Sequence, residues 1–238
     1  MIRVNGHQVA GVIFDIDGTL VDSFAALVSV LNIILKKYQL ESVSEEFLAS
    51  CFRRNMNLAE TLHERYSSSF EEPFIETLRS EILDLFLKVE VEEVKPFPGV
   101  DRLFEKLKSH QLKIGIATGR TSPPENEWAR FRRYGLEKYL DALVTSLEVK
   151  ERKPSPDAII ECAKRLEIPL WQSLVVGDTE SDVIAARRAG AIAVAVSTGQ
   201  DPPENLKSQQ PELLFENLEA FSLFLDKETN RSSEGAPP

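Results

Sequence analysis

Cysteine is scarce in this chain: Cys51 and Cys162 are the two among 238 residues, far apart and without CxxC spacing. That excludes a disulfide framework and speaks against a thiolate zinc site, which leaves buried free thiols. Histidine is almost as sparse, and His7, His63 and His110 lack metal-ligand spacing, so they read as structural or exposed. No apolar run is long enough to span a bilayer, and no N-terminal stretch combines a basic region, an apolar core and a small-residue cleavage site. The expected location is therefore the cytoplasm, with no membrane partner. Positive charge is also in deficit: 28 Lys and Arg against 38 Asp and Glu give a net charge of −10. Nothing in that balance draws the chain to nucleic acid. A small anionic substrate stays open, provided a metal or local cations offset the field. No internal repeat is present.

What is there supports a real core, since 42% of the residues are hydrophobic, and one or two domains fit the length. V-A-G-V-I-F-D-I, K-I-G-I-A-T, D-A-L-V-T-S, S-L-V-V-G-D and A-I-A-V-A-V-S read as strands buried on both faces. Helical patterns follow most of them. After Thr121 comes S-P-P-E-N-E-W-A-R-F-R-R-Y-G, with a capping serine, prolines in the first turn and a glycine stop. Beyond Lys153, Ser155 suits a cap and Pro156 the first helical position; the helical pattern after Asp178 ends at a glycine. Strands alternating with helices predict an α/β fold with an open, doubly wound parallel sheet.

One segment breaks the rhythm. From Ser23 to Lys95 every pattern is helical, too much for a single crossover, which predicts an inserted α-helical bundle. It rejoins the chain at K-P-F-P-G-V, whose prolines and glycine suit a re-entry turn. The expected domains are residues 1–22 with 96–226 as the α/β core and 23–95 as the helical insert. Residues 227–238, polar and rich in Pro, Gly and Ser, are expected to be disordered.

The first strand changes character at its end, where V-I-F-D-I-D-G brings in two aspartates. Asp15 and Asp17 project to the same side of the chain because side chains alternate along a strand. Thr118, Lys153 and Asp178 occupy the equivalent place in other units, and strand-to-helix loops of a parallel sheet emerge on one edge, where ligands bind. Crowded carboxylates repel unless a cation sits among them, and few, hard oxygen ligands suit Mg²⁺.

D-I-D-G-T-L-V-D-S, A-T-G-R, R-K-P-S-P and G-D-T-E-S-D, in that order, resemble the four motifs of the haloacid dehalogenase-like (HAD) hydrolases. The helical insert resembles the cap of the phosphoglycolate phosphatase and β-phosphoglucomutase branch. The resemblance implies a Rossmann-like core and a Mg²⁺-dependent phosphatase acting on a small phosphorylated metabolite, as monomer or homodimer. Asp15 is implied as the nucleophile that becomes an aspartyl-phosphate and Asp17 as general acid and base. Asp15, the Asp17 backbone carbonyl and Asp178 are implied as metal ligands, with Asp182 acting directly or through water. Physical chemistry agrees: Asp15 held against a metal stays ionised, and Asp17 beside another carboxylate can hold a proton for the leaving alkoxide. Gly18 permits a sharp turn that brings N–H groups toward phosphate, while Thr118, Gly119 and Lys153 complete the phosphate-binding set.

Blander readings stand beside these. Lys153 taken alone is a surface lysine, Asp182 suits any helix N-terminus, and G-I-A-T-G-R lacks the ending of a P-loop. The second motif also departs from the family pattern, in which asparagine often follows the Ser/Thr; here Gly119 and Arg120 follow Thr118. In the cap, F-R-R-N lies where relatives carry a specificity loop, so Arg53 and Arg54 either grip the non-phosphate part of a substrate or form a solvated helix-end pair. A sugar phosphomutase of the β-phosphoglucomutase type, sharing every core residue, is the alternative function.

Overall fold

The computed structural model describes residues 2–4, 6–53, 56, 58–68, 70–199 and 201–234. The chain divides into two compact units, Met1–Val21 with Pro96–Pro238, and Asp22–Lys95.

The first unit is built on a six-stranded, all-parallel sheet in the order β5-β4-β3-β6-β7-β8. Its strands are β3 (Gly11–Phe14), β4 (Lys113–Ala117), β5 (Ala142–Val144), β6 (Ser173–Gly177), β7 (Ile192–Val196) and β8 (Leu213–Phe215). The five apolar runs picked out in the sequence are β3 to β7, and β3, β5, β6 and β7 are buried along their whole length. Continuous burial is what helices on both faces of a parallel sheet demand. Those helices are α5 (Val100–Ser109), α6 (Pro124–Arg133), α7 (Asp157–Leu166), α8 (Glu180–Ala189), α9 (Pro203–Ser208) and α10 (Leu218–Glu234). Their apolar stripes face the sheet: Ile159, Cys162, Ala163 and Leu166 of α7 join Ile13, Val144 and Val175 in one cluster, and Phe14 packs on Phe104 of α5 with ring centroids 5.3 Å apart. This is the doubly wound α/β core that the alternating patterns predict. The chain leaves β3 toward β4 on one side and returns to pair β6 on the other, so the strand order reverses at β3. Such a switch point opens a crevice at the carboxyl ends of the strands.

Several local expectations change. A small antiparallel pair, β1 (Arg3–Val4) with β2 (His7–Gln8), and the edge strand β8 were not foreseen, because strands of two or three residues carry too little periodicity to detect. Helix α7 begins at Asp157 with Pro156 outside it, and Ser155 hydroxyl bonds Asp157 rather than capping the backbone. The stretch 227–238, expected to be disordered, continues α10 as far as Glu234. That helix is anchored upstream by buried Leu218, Phe221 and Leu225, so polar residues extend a helix already nucleated by packing.

The second unit is the inserted bundle, all helix as expected: α1 (Phe24–Lys37), α2 (Glu45–Arg53), α3 (Leu58–Tyr66) and α4 (Glu72–Glu93). Leu31 and Leu35 of α1, Leu48 of α2, Leu62 of α3 and Ile75, Leu78 and Ile82 of α4 form its own core at three- and four-residue spacings. Among the described residues, no helix is long and apolar enough to cross a membrane.

Candidate active site

Four of the six parallel strands carry a polar residue of the candidate site in the loop beyond their carboxyl ends. Asp15 follows β3, Thr118 follows β4, Asp178 follows β6, and Lys153 lies in the loop between β5 and α7. The sheet register brings these ends together: the Asp15 amide donates to the Val176 carbonyl at 2.9 Å and the Thr118 amide to the Val144 carbonyl at 3.0 Å.

Lys153 is the hub. Its Nζ donates to Asp15 Oδ1 and to Asp182 Oδ1, both at 2.6 Å, with a side chain only 10% exposed. The lysine that read in isolation as a surface residue is thus held between two carboxylates of the site. Asp182 lies in the first turn of α8, where the Thr179 amide and hydroxyl donate to its Oδ2 at 3.1 and 2.6 Å and the Asp182 amide donates to Thr179 Oγ1. Asp182 is therefore at once the partner in a capping box at the N-terminus of α8 and a neighbour of Lys153. Asp178 is almost wholly buried and accepts the Thr19 hydroxyl at 2.7 Å.

Carboxylate oxygens of Asp15, Asp178 and Asp182 lie within 4.8 Å of one another. Burial is the main force on the protons of Asp15 and Asp178. It pushes Asp15 up to about 7, with Asp182 and Asp17 adding to the rise and Lys153 opposing it. Burial also raises Asp178 well above the ordinary carboxylate range, reinforced by Asp182 and Asp15. For Lys153, burial disfavours the charge, but Asp15 and Asp182 outweigh it and hold the ammonium more firmly protonated than usual. Two of the three clustered acids, Asp15 and Asp178, resist ionisation, a crowding that a cation would relieve, and an all-oxygen donor set fits a hard divalent ion. The cluster can therefore coordinate a divalent metal.

The turn after Asp17 is tightly built around Asp178. Gly18 has φ +80°, and a Cβ there would stand 2.3 Å from Asp178 Oδ2. Gly199, beyond β7, is closer still: its Cβ would fall 1.6 Å from the same oxygen. The Thr198 hydroxyl donates to the Gly18 carbonyl at 2.6 Å and ties the two loops together. Glycine at both positions lets backbone approach the buried carboxylate that any side chain would displace.

Asp17 is the more exposed member of the pair, at 35% against 12% for Asp15. Arg120 grips it with two bonds, Nε to Oδ2 at 2.6 Å and Nη2 to Oδ1 at 2.5 Å. Thr118 is buried and its hydroxyl oxygen accepts the Arg120 amide at 3.2 Å, while Gly119 has open space where a Cβ would stand. Thr19, Thr198, Gly199 and the partnership of Arg120 with Asp17 escaped the sequence reading; only Arg120, as a departure from the second motif, left a signal. Arg53 lies at the end of α2, in the other unit, and pairs with Glu46 of the same helix. Arg54 falls outside the described residues.

A family model described as haloacid dehalogenase-like hydrolase matches residues 12–196. Phosphoglycolate phosphatase of Escherichia coli K12 is 25% identical over 233 residues, which cover 89% of this chain and 90% of that protein. A Clostridium perfringens protein provisionally named pyrophosphatase PpaX is 28% identical over 225 residues, 91% of this chain and 97% of its own length. A solved structure from Lactobacillus delbrueckii subsp. bulgaricus, provisionally named a phosphoglycolate phosphatase, shares the fold with a TM-score of 0.79 at 19% identity, over 92% of this chain and 99% of that one.

Proposed function

The chain belongs to the haloacid dehalogenase-like hydrolases, an enzyme family that includes phosphatases, and we propose that it is a Mg²⁺-dependent phosphatase of a small phosphorylated metabolite. One observation carries this reading: Asp15 stands at the carboxyl end of β3 with Lys153 on one of its oxygens and Asp178 and Asp182 beside it, two residues before Asp17.

In this proposal an Asp15 oxygen attacks the phosphorus of a phosphate monoester. A bond forms between that oxygen and phosphorus, the bond from phosphorus to the alcohol oxygen breaks, and its electron pair stays on that oxygen. Asp17 donates the proton that makes the departing group an alcohol. Water then attacks the aspartyl-phosphate, Asp17 takes the proton released, and Asp15 regains its carboxylate as inorganic phosphate forms. Lys153 offers its ammonium to the phosphoryl oxygens, and backbone N–H groups around Gly18 and Gly119, with the Thr118 hydroxyl, orient them. Asp15, Asp178, Asp182 and the Asp17 carbonyl would hold the Mg²⁺, which when bound supplies positive charge that lets an anionic nucleophile approach an anionic ester.

Phosphoglycolate is the first substrate to try, since a relative carries that activity in its name; the name of another brings pyrophosphate into the same screen. Phosphate release is measured with Mg²⁺ on phosphoglycolate, glycerol phosphate, hexose phosphates and pyrophosphate, and the trapped intermediate is located by mass spectrometry. Release with phosphate on Asp15 is expected. Conversion of a hexose 1-phosphate into its 6-phosphate without free phosphate would replace the reading with the phosphomutase, and phosphate on another residue would overturn the mechanism.

A further inference from the structure

The two bonds from Arg120 to Asp17 are the least expected contact of the site. A guanidinium fork on a carboxylate is planar and directional, and it uses one lone pair on each oxygen. The fork sets the direction of the second lone pair on each oxygen. Where that pair points decides which atom can exchange a proton with Asp17.

The fork is itself held from behind. Arg120 Nη1 lies 3.9 Å from Oε1 of Glu127, a fully buried residue of α6. Glu127 Oε1 also accepts the Ser122 hydroxyl, and its Oε2 lies 3.3 Å from Nε of Arg130, which is also buried. A buried carboxylate with cations on two sides is costly to disturb, because removing either partner leaves charge without compensation. The main chain of Arg120 is pinned too: its amide donates to Thr118 Oγ1, and its carbonyl accepts the Ser146 hydroxyl at 2.9 Å and the Ser146 amide at 3.2 Å. Both ends of this residue are therefore fixed, so the fork presents a set direction to the Asp17 carboxylate.

We propose that Arg120 is a positioning residue for Asp17, its fork, braced by Glu127 of α6, orienting the carboxyl group that exchanges a proton with the alcohol oxygen of the substrate. This rests on the role given to Asp17 above.

Leaving groups separate positioning from mere stability. An alkoxide needs the proton as it departs, whereas 4-nitrophenolate leaves readily without one. The quantity to compare is kcat/KM, which reports the transfer to Asp15 and not the later hydrolysis. The substrates are 4-nitrophenyl phosphate and the alkyl phosphate most readily hydrolysed in the panel above. Asp17→Asn, Arg120→Ala, Arg120→Lys and Glu127→Gln are measured, with Arg120→Ala repeated in the Asp17→Asn background.

Arg120→Ala is expected to lower kcat/KM for the alkyl ester about 10- to 100-fold, at least ten times more than for the aryl ester. Arg120→Lys keeps the charge without the fork and should restore only part of the loss. Glu127→Gln should shift the ratio of the two esters in the same direction by a smaller factor. In the Asp17→Asn background Arg120→Ala should cost nothing further, since it acts through Asp17. Equal losses on both esters, full rescue by lysine, or a full additional loss in the Asp17→Asn background would overturn the inference. If Asp17→Asn itself spares the alkyl ester, the general-acid reading fails; if Asp17→Asn discriminates and Arg120→Ala does not, only the positioning role falls.

Discussion

The core and the cap use charge in opposite ways. In the core, acids and a lysine are driven into burial, with Asp178 and Asp182 almost wholly covered and Lys153 shared between two carboxylates. In the cap, the ion pairs Lys37–Glu81, Arg65–Glu41 and Arg53–Glu46 lie on the surface, and the interior is mainly Leu, Ile and Val, with Glu90 of α4 buried as well. Buried charge is costly unless compensated, and the core concentrates it around the candidate site, while surface pairs contribute about 0–1 kcal/mol each. The core is thus organised around its site, and the cap around its own stability.

If that contrast holds, the largest effect comes from the proposed nucleophile. Asp15→Asn should lower turnover by about 10⁴- to 10⁶-fold, the scale seen when a covalent catalyst loses its attacking group, and should abolish phosphorylation of the protein. Single-turnover kinetics with mass spectrometry checks both. A substantial residual burst would break the contrast at its root.

The cap should answer to deletion of methyl groups instead. Leu78 is fully buried in its bundle, and Leu78→Ala should destabilise the folded state by about 2–5 kcal/mol, read by denaturant unfolding. A comparable loss from Arg65→Ala, whose partner is an exposed carboxylate, would show that the surface pairs matter more than their geometry suggests.

Gly199→Ala tests the core at a position with no functional group of its own. The new Cβ would overlap Asp178, whose carboxylate must then move, and misplacement by about 1 Å costs on the order of 100-fold in turnover. Isothermal titration with Mg²⁺ should show weaker binding in the same variant.

How much of this was legible in the sequence follows from the same physics. Asp15, Asp178 and Lys153 stand out because each breaks or follows an apolar strand at the edge where a parallel sheet opens to solvent. The cap helices were legible through their three- and four-residue spacing. Thr198 and Gly199 were not, because a threonine and a glycine in a turn look alike whether or not they touch a site, and the Gly18 partner lies 180 residues away. Glu127 was hidden for a different reason: an acid in the first turn of α6 satisfies a helix N-terminus, and nothing local reveals that it is buried. The continuation of α10 to Glu234 was missed because polar composition reports burial, not helicity.

A smaller effect should follow from the protons of the crowded acids. Asp15 is held at about 7 against an ordinary 3.8, so the folded, metal-free protein keeps a proton that the unfolded chain has lost. A raised carboxylate contributes stability that is complete below about pH 4 and disappears as pH rises through about 7. Thermal unfolding of metal-free protein should therefore fall to lower temperature from pH 5 to pH 8. Adding Mg²⁺ should remove most of that fall, because the ion replaces the proton and binds more tightly as pH rises. A metal-free midpoint that rises over this interval would mean the cluster is not electrostatically frustrated.

The smallest effect concerns Arg53, where the contrast is weakest. Its partner Glu46 is 80% exposed, so the pair is of the kind that contributes at most about 1 kcal/mol, and Arg53→Ala should barely move the unfolding midpoint. A pair this weak is also readily exchanged for another anion. We propose that Arg53, with its neighbour Arg54, recognises the part of the substrate beyond phosphate. On that assignment Arg53→Ala lowers kcat/KM for the metabolite about tenfold, the scale of one charge-assisted hydrogen bond, and lowers it less for 4-nitrophenyl phosphate, which presents no such group. The selectivity ratio matters more than either loss alone, because damage to the core site depresses both esters together. An unchanged ratio in Arg53→Ala, Arg54→Ala and the double variant would return these arginines to the surface-pair class, and specificity would then be carried elsewhere.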